Sequence, residues 1–422
     1  MNAWKSPPSG PRRDDVRLSA HRPDRDSPGA DGRTLRVAVV AEAFPPQVNG
    51  VAHSALRTAD HLFLRGHAPL VIAPSAPRGT ASPGKGTGGT DHEEPHPYPV
   101  VRVPSLSLPG YGDVRAALPS RRAARAIAAH RADLVHLAGP FLLGADAMKA
   151  ARGLGIPAVA VYQTDIAAYA RLYTPWVPAG PALAWYRLRA VHNAADLTLA
   201  LSGASRHDLE EHGVPRVRLW SHGVDSVRFH PRHRDPSLRR RLAPEGEVLI
   251  GYVGRLAPEK RVELLAETCA LPGVRVVVVG DGPSGARLRR ALPRAVFLGR
   301  RTGDDLARIF ASLDVFVHTG PFETFCQTIQ EAMASGLPVI APASGGPLDL
   351  VDHERTGLLV PPGDASATRD AVRALAGSVR TRVALGRAGR AAVADRSWEA
   401  VGDQLLRHYA RVLGERAGIH PV

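Results

Sequence analysis

Two glutamates, Glu323 and Glu331, stand eight residues apart and could together hold the two ends of one ligand. A carboxylate accepts two hydrogen bonds at once, so each acid suits a vicinal diol. A helix is predicted to begin between them, and its free backbone N–H groups at Phe325, Cys326 and Gln327 favour a bound anion such as phosphate. The spacing therefore indicates a ligand with a diol on each side of a phosphate, which is the shape of a nucleotide sugar. Two solvated acids on a helix would show the same spacing.

A basic turn is the second feature with the composition of a site. Gly254 and Arg255 follow an apolar strand predicted over 248–253, and the turn ends at Lys260, where the pattern predicts the start of a helix. Both cations could contact a diphosphate and stabilise the charge that develops when it leaves, as magnesium does in kinases. No metal or other cofactor would then be required. A pair of basic residues on the surface is the alternative.

Polar residues also follow a strand predicted over 158–162. Gln163 and Asp165 lie at its carboxyl end, where open α/β sheets bind ligands. Glutamine cannot exchange a proton near neutral pH, so we expect Gln163 to hydrogen-bond a sugar or a phosphate. Asp165 could orient an acceptor hydroxyl, or it could cap the following helix. Gly50 lies at the tip of a loop before a helix, where it would let a phosphate approach the backbone or would serve an ordinary turn.

A formal G-x-G-x-x-G pattern runs from Gly280 to Gly285 after a strand predicted over 274–279. The dinucleotide-binding motif normally follows the first strand of its unit and opens a helix, and Pro283 does not suit that helix start. An oxidoreductase that binds a nicotinamide cofactor is therefore a disfavoured alternative.

All these residues lie at the ends of apolar strands that alternate with amphipathic helices. This alternation predicts an α/β fold with parallel sheets. A stretch rich in Pro, Arg, Asp and Ser predicts a disordered tail over residues 1–34. The other predicted units are a first domain over 35–222, a linker over 223–246, a second domain over 247–396, and a last helix with a tail over 397–422.

Length and composition indicate a globular protein. The chain has 422 residues, 44% of them hydrophobic, which suits two or three domains with real cores. Cys269 and Cys326 have no paired spacing, so neither a disulfide framework nor a zinc site is indicated. No apolar run is long enough to cross a membrane, and no signal segment is recognisable. We expect a cytoplasmic protein that at most attaches to the inner face of the plasma membrane.

A net charge of +14 indicates an anionic partner, which could be nucleic acid, anionic lipid or a phosphorylated substrate. The low aromatic content and the lack of a nucleic-acid-binding motif argue against nucleic acid. In one segment apolar residues lie beside basic ones, which would suit docking on an anionic membrane surface or would form an ordinary solvated face. That segment contains Leu106, Leu108, Tyr111, Arg115, Arg121, Arg122 and Arg125.

The segment E-T-F-C-Q-T-I-Q-E, from Glu323 to Glu331, resembles the E-x7-E donor motif of retaining glycosyltransferases of family 4. Its flanks, A-M-A-S-G-L-P-V-I-A and G-G-P-L-D-L-V, resemble that family too, and the similarity extends over most of residues 35–410. The resemblance implies the GT-B fold, in which two Rossmann-like doubly wound domains face each other across a cleft and the last helix crosses back to the first domain. It implies that Glu323 holds hydroxyls of the transferred sugar and that Glu331 holds the ribose.

The resemblance also implies roles for other positions. G-R-L-A-P-E-K, from Gly254 to Lys260, matches the diphosphate-binding turn of the family, and the loop with Gly50 would face the same diphosphate. G-D-G-P at Gly280 would border the nucleoside pocket. Many members have His where this chain has Gln163, which is a departure from the family pattern. Cys326 would line the sugar pocket.

The segments PQVNGVAHS, VPSLSLPGYGDVR, VYQTD and GRLAPEKRVE look like those of actinobacterial GDP-mannose-dependent α-mannosyltransferases that act on lipid acceptors. This similarity implies transfer of mannose, with retention of configuration, to a lipid or polyol hydroxyl. Within the class, a UDP-sugar donor with a small acceptor such as inositol phosphate is the alternative. Outside it, the alternatives are an NAD-dependent oxidoreductase and a basic nucleic-acid binder, whose affinity should fall steeply with salt.

Overall fold

The computed structural model describes residues 33–47, 49–75, 96–108, 111–118, 120–173 and 176–416. Within these ranges the chain forms two parallel sheets, and the predicted α/β fold with two Rossmann-like halves is confirmed. The tail predicted over 1–34 lies outside the described residues, apart from its last two.

The described part of the N-terminal half contains a parallel sheet covered on both faces and a separate two-stranded antiparallel sheet. Its strands are β1 (Arg36–Ala41), β2 (Ala68–Pro74), β3 (Val100–Val103), β4 (Ser105–Leu108), β5 (Tyr111–Ala117), β6 (Leu134–Ala138), β7 (Ala158–Tyr162), β8 (Leu197–Ala200) and β9 (Val217–Leu219). Its helices are α1 (Gly50–Leu64), α2 (Arg122–His130), α3 (Leu143–Gly153), α4 (Ile166–Tyr173), α5 (Gly180–Ala194) and α6 (Gly203–Glu211). Among the described residues, the sheet order is β3-β2-β1-β6-β7-β8-β9. Val37 and Val39 pack into one apolar cluster and Ala38 and Val40 into another, as a strand buried on both faces requires.

The C-terminal half repeats this architecture. Its strands are β10 (Val248–Val253), β11 (Val274–Val279), β12 (Val296–Gly299), β13 (Val315–Val317), β14 (Val339–Pro342) and β15 (Gly357–Val360). Its α-helices are α7 (Pro236–Leu242), α8 (Ala266–Cys269), α9 (Gly285–Ala291), α10 (Gly303–Ser312), α11 (Gln327–Ala334), α12 (Pro347–Leu350), α13 (Ala365–Ala376) and α14 (Val379–Ala392). The sheet order in the described chain is β12-β11-β10-β13-β14-β15, so the direction of winding reverses between β10 and β13. Open sheets bind ligands at such a switch point.

The helix predicted to begin at Lys260 is not an α-helix. The chain instead forms two 3-10 turns, Pro258–Lys260 and Val262–Leu265, and a further 3-10 turn, Pro231–His233, lies in the connection between the halves. Arg261 separates the first two turns with a left-handed backbone at φ 51°. A non-glycine residue in that region interrupts regular helical hydrogen bonding, which explains why the α-helix prediction was wrong.

The last helix, α15 (Trp398–Arg416), packs on the N-terminal half. Trp220 Nε1 donates a hydrogen bond to the carbonyl oxygen of Val401 at 3.0 Å. Tyr409 Oη and His136 Nδ1 lie 2.8 Å apart in the buried core. The chain therefore crosses from one half to the other twice.

The two crossings lie side by side. Val224 and Ser397 form a parallel β-bridge, and the backbone N–H of Val224 donates to the carbonyl oxygen of Arg396 at 2.8 Å. At Gly223 a Cβ atom would lie 2.5 Å from Trp398 Cα, so the close approach requires glycine. Both connections are thus held together at one place.

The segment with mixed apolar and basic residues forms an antiparallel hairpin of β4 and β5, followed by α2. The sequence did not predict this hairpin. Leu106 is 60% exposed on it, whereas the Arg115 guanidinium bonds Ser105 and Ser107. Arg121, Arg122 and Arg125 are exposed at the start of α2, and the side chains of Leu108 and Tyr111 lie outside the described residues. None of the described helices combines the length and the apolar character that a membrane crossing needs.

Candidate active site

The switch point of the C-terminal sheet brings the two predicted donor segments together. Because β10 and β13 are parallel neighbours, with Gly251 paired to Phe316, the loops that follow them start at the same edge. One loop carries Lys260 and the other carries Glu323. The ammonium group of Lys260 contacts Glu323 Oε1, and their side chains are only 16% and 15% exposed.

Two cations share the carboxylate of Glu323. His318, immediately after β13, places Nε2 3.0 Å from the same oxygen, Oε1, that Lys260 contacts. Burial alone would raise the pKa of Glu323, but Lys260 and His318 outweigh it and hold that pKa well below its usual range. Burial would likewise lower the pKa of Lys260, but Glu323 outweighs it and raises that pKa. Both groups are therefore charged near neutral pH.

His318 is a site residue that the sequence did not single out. It is 3% exposed, and its ring lies nearly parallel to that of Tyr252, with 6.3 Å between centroids. Neither ring nitrogen makes a hydrogen bond of good geometry among the described residues, so the contact with Glu323 is an ion pair. Burial would lower the pKa of His318, but Cys326 and Glu323 outweigh it and raise the pKa to about 10. The signal for it was its position directly after a buried strand.

The loop from Glu323 to α11 is held rigidly. Cys326 caps the helix with a left-handed backbone at φ 79°, which is unusual for a residue with a side chain. The backbone N–H of Gly346 donates to the carbonyl oxygen of Glu323 at 2.7 Å. A Cβ atom at Gly346 would lie 2.4 Å from the Cα of buried Phe325. The loop therefore cannot shift without disturbing the segment beneath it.

Glu331 lies in a different environment, one turn into α11. It is 8% exposed, and burial raises its pKa to about 8. A hydrogen bond with Gln327 opposes this rise in pKa, while the charge of Asp225 adds to it. The Gln327 amide also donates to the carbonyl oxygen of Gly223 at 2.9 Å, so α11 contacts the connection between the halves.

One group of described residues has the geometry of a metal site. Ligand atoms of His318, Glu323 and Cys326 all lie within 4.8 Å of one another. The ammonium of Lys260 already contacts the Glu323 oxygen that a metal would use. A divalent ion at this place would have a fixed positive charge next to it, so the donor set fits a metal poorly.

The N-terminal half meets the loop of Glu323 through Gln163. Thr324 Oγ1 donates to the carbonyl oxygen of Gln163 at 2.8 Å, and Ser205 Oγ donates to the carbonyl oxygen of Thr324 at 3.3 Å. The side chain of Gln163 is 8% exposed, and neither of its amide atoms has a hydrogen-bond partner among the described residues. An unsatisfied buried amide is costly, which is consistent with a group that a ligand satisfies.

Helix α4 also reaches across to the basic turn. Tyr173 Oη donates to the carboxylate of buried Glu259, next to Lys260. Burial raises the pKa of Tyr169 to about 12, and this tyrosine lies within electrostatic reach of Lys260, Glu323 and Arg255. The structure therefore brings α4 of one half to the basic turn of the other.

The other predicted residues occupy more ordinary positions. Asp165 accepts a hydrogen bond from the backbone N–H of Ala168 at 2.8 Å, as the helix-cap alternative requires. Gly50 begins α1 in open space, where a Cβ atom would meet no other atom within 4 Å. Gly254 and Gly280 pack against each other, because a Cβ at Gly280 would lie 1.9 Å from the carbonyl oxygen of Gly254. That contact gives the G-x-G-x-x-G pattern a packing role between two loops.

Glu42 is a second residue that the sequence did not single out. It follows β1 at the switch point of the N-terminal sheet, between β1 and β6. Its Oε1 accepts hydrogen bonds from the backbone N–H groups of Phe141 at 3.1 Å and Gly144 at 3.0 Å. Burial outweighs these bonds and raises the pKa of Glu42 to about 7.

The two halves of the chain each match a known protein family. A family model described as Glycosyltransferase Family 4 matches residues 48–228. A second model, described as Glycosyl transferases group 1, matches residues 247–378. The first match includes the N-terminal sheet from β2 onward, and the second includes all six strands described for the C-terminal sheet.

Two curated relatives carry the same name. A GDP-mannose-dependent alpha-mannosyltransferase of Mycobacterium tuberculosis is 48% identical, over 90% of this chain and 98% of the relative. A protein of that name from Corynebacterium glutamicum is 42% identical, over 90% of each chain. Among solved structures, Anabaena HepE in complex with UDP and glucose superposes with a TM-score of 0.69 at 21% identity, over 89% of this chain and 99% of HepE.

Proposed function

Because this chain belongs to glycosyltransferase family 4, we propose that it is an α-mannosyltransferase that moves mannose from GDP-mannose to a hydroxyl group. Two relatives named for that activity, at 48% and 42% identity over nine-tenths of the chain, support the donor. The observation that carries the proposal is the contact between Lys260 and Glu323 at the switch point of the second sheet.

The donor would lie along the edge between β10 and β13. Lys260 and Arg255 would hold the diphosphate, and the backbone at Phe325, Cys326 and Gln327 would approach it from the start of α11. Glu323 would accept hydrogen bonds from mannose hydroxyls on one side. Glu331 would bind the ribose on the other, and Gly50, Gly254 and Gly280 would leave room for phosphate and nucleoside.

The chemical step exchanges one bond at the anomeric carbon and transfers one proton. The acceptor oxygen would bond the anomeric carbon on the face from which the diphosphate departs, while the bond between that carbon and the phosphate oxygen breaks. The acceptor proton would pass to an oxygen of the leaving diphosphate, and the configuration would be retained. Arg255 and Lys260 would stabilise the charge on the leaving group, so the step needs no metal. The Gln163 amide would hydrogen-bond the sugar or phosphate, and Asp165 would orient the acceptor through α4.

The acceptor we propose is a lipid or polyol hydroxyl. Leu106 is exposed on the hairpin, and three arginines are exposed at the start of α2, the next helix in the chain. This composition suits an anionic bilayer. The protein would then act at the cytoplasmic face of the plasma membrane. Flotation with phosphatidylglycerol vesicles tests this proposal. The R121A/R125A variant should bind the vesicles less than the native protein does. Equal binding of the variant and the native protein would count against docking at this surface.

Donor identity is tested by thermal shift and turnover. A ligand that binds the native state raises its melting temperature. GDP and GDP-mannose should raise it more than UDP, ADP, UDP-glucose or NAD, and GDP-mannose should be turned over in the presence of EDTA. A larger shift with UDP-glucose would favour the UDP-sugar alternative, and a shift with NAD alone would overturn the assignment.

A further inference from the structure

One oxygen in the site, Glu323 Oε1, carries two positive partners. Lys260 contacts it from the basic turn after β10, and His318 Nε2 lies 3.0 Å from it after β13. Either cation would be enough to neutralise the carboxylate. The second one therefore needs an explanation.

The proposed reaction places a conflicting demand on Lys260. In the structure its ammonium contacts Glu323, whereas the bound donor would draw that ammonium toward the diphosphate. A carboxylate that loses its partner while buried has a large desolvation cost and tends to bind a proton instead. A protonated Glu323 would accept fewer hydrogen bonds from a sugar.

We propose that His318 is a positioning residue that keeps Glu323 ionised for the sugar hydroxyls when Lys260 moves to the diphosphate. This inference rests on the proposed function. His318 suits the role because it is buried, stacks on Tyr252 and has a backbone fixed at the end of β13, so it does not follow Lys260. Binding of the donor therefore removes Lys260 as a counter-ion of Glu323, and His318 stays in place.

The charged and titratable groups around Glu323 come from four elements. His318 and Cys326 lie on its own loop, Lys260 and Arg255 on the basic turn, Tyr252 on β10 and Tyr169 on α4. Burial raises the pKa of Tyr169 to about 12, and that of Tyr252 is raised as well, so neither tyrosine ionises near neutral pH. When Lys260 binds the donor, His318 is the cation among these residues that still contacts the Glu323 carboxylate.

The test compares the affinities of GDP-mannose and GDP, because only the former has the sugar that Glu323 would hold. We expect the ratio of the two affinities in the native protein to stay level between about pH 5.5 and 8.5. In H318Q it should fall as the pH falls, approaching tenfold per pH unit once Glu323 takes up a proton. H318K, which restores a cation, should recover the level profile.

Two controls separate this role from a structural one. H353Q changes a half-exposed histidine and should behave like the native protein. Unchanged GDP affinity in H318Q shows that the fold and the diphosphate site persist. If H318Q binds GDP and keeps the level ratio, the role of His318 is wrong; if the native protein binds neither ligand, the proposed function itself fails.

Discussion

Glu323 and Glu331 are eight residues apart and both are largely buried, yet their surroundings move their pKa values in opposite directions. Lys260 and His318 hold the pKa of Glu323 far below its usual range. Burial without such a partner raises the pKa of Glu331 to about 8. Two identical side chains on one short segment thus differ in charge at neutral pH.

The difference in charge suits the two ligand groups that we propose for this motif. Glu323 lies on a loop at the switch point, where it contacts Lys260 and His318 from the ends of two neighbouring strands. Its carboxylate therefore stays ionised and accepts hydrogen bonds. Glu331 lies one turn into α11, facing the connection between the halves, and at neutral pH it is mainly protonated. A protonated carboxyl can donate as well as accept a hydrogen bond, which suits a ribose whose hydroxyls do both.

The largest effect on the difference between the two glutamates is expected from removal of Lys260. K260A takes away the partner that Glu323 has and Glu331 lacks, together with the proposed support for the leaving diphosphate. We expect turnover of GDP-mannose to fall by about 10²–10³-fold or more, with a folded protein by circular dichroism. K149A, an exposed lysine on α3, is the matched control. Turnover equal to that of the native protein would remove Lys260 from the mechanism.

The two acids should also differ in which ligand they recognise. E323Q is expected to lower the affinity for GDP-mannose relative to that for GDP by about tenfold, because only GDP-mannose has the sugar that Glu323 would hold. E331Q should weaken GDP and GDP-mannose equally, since both contain the ribose. Isothermal titration calorimetry with GDP and with GDP-mannose measures both affinities for each variant. The same change in the two affinities in both variants would contradict separate roles for Glu323 and Glu331.

The pH dependence of stability should follow the raised pKa of Glu331. Because the native state holds its proton up to about pH 8 and the unfolded state releases it near 4.5, ionisation costs folding free energy as the pH rises between these values. E331Q removes that cost, so the variant should match the native protein near pH 5 and exceed its stability near pH 8 by on the order of a few kcal/mol. Chemical denaturation at both pH values checks this. E354Q, at an exposed glutamate, should show no such difference.

The smallest effect is expected from the contact between α4 and the basic turn. Y173F removes the hydroxyl that bonds buried Glu259, the neighbour of Lys260. One lost hydrogen bond of about 1 kcal/mol should raise the KM for GDP-mannose about fivefold, with kcat changed less. Y186F, at an exposed tyrosine, is the control. An unchanged KM would show that this contact does not support the donor turn.

Much of this arrangement could be predicted from the order of residues. Lys260 and Glu323 each follow an apolar strand, and the carboxyl ends of neighbouring parallel strands bring such residues together. His318 obeys the same rule more directly, since it comes immediately after β13, but a single histidine beside a strand had no second signal. The α/β fold followed from the alternation of strands and helices.

The opposite pKa values could not be predicted, because they depend on which groups surround each acid. Nothing in the spacing of Glu331 shows that it lies in the interior without a cation. The unsatisfied amide of Gln163 likewise depends on how closely the halves approach each other. The 3-10 turns on either side of Arg261 were missed because the left-handed backbone of Arg261 has no signature in the sequence.

The bridge between Val224 and Ser397 fastens the two interdomain crossings to each other. Because the two connections are held together at one place, a change in the distance between the halves would have to bend both connections there. Opening to admit a donor would then swing α4 and Gln163 away from the loop of Glu323 along one arc. Closing would return α4 and Gln163 to the same positions relative to that loop.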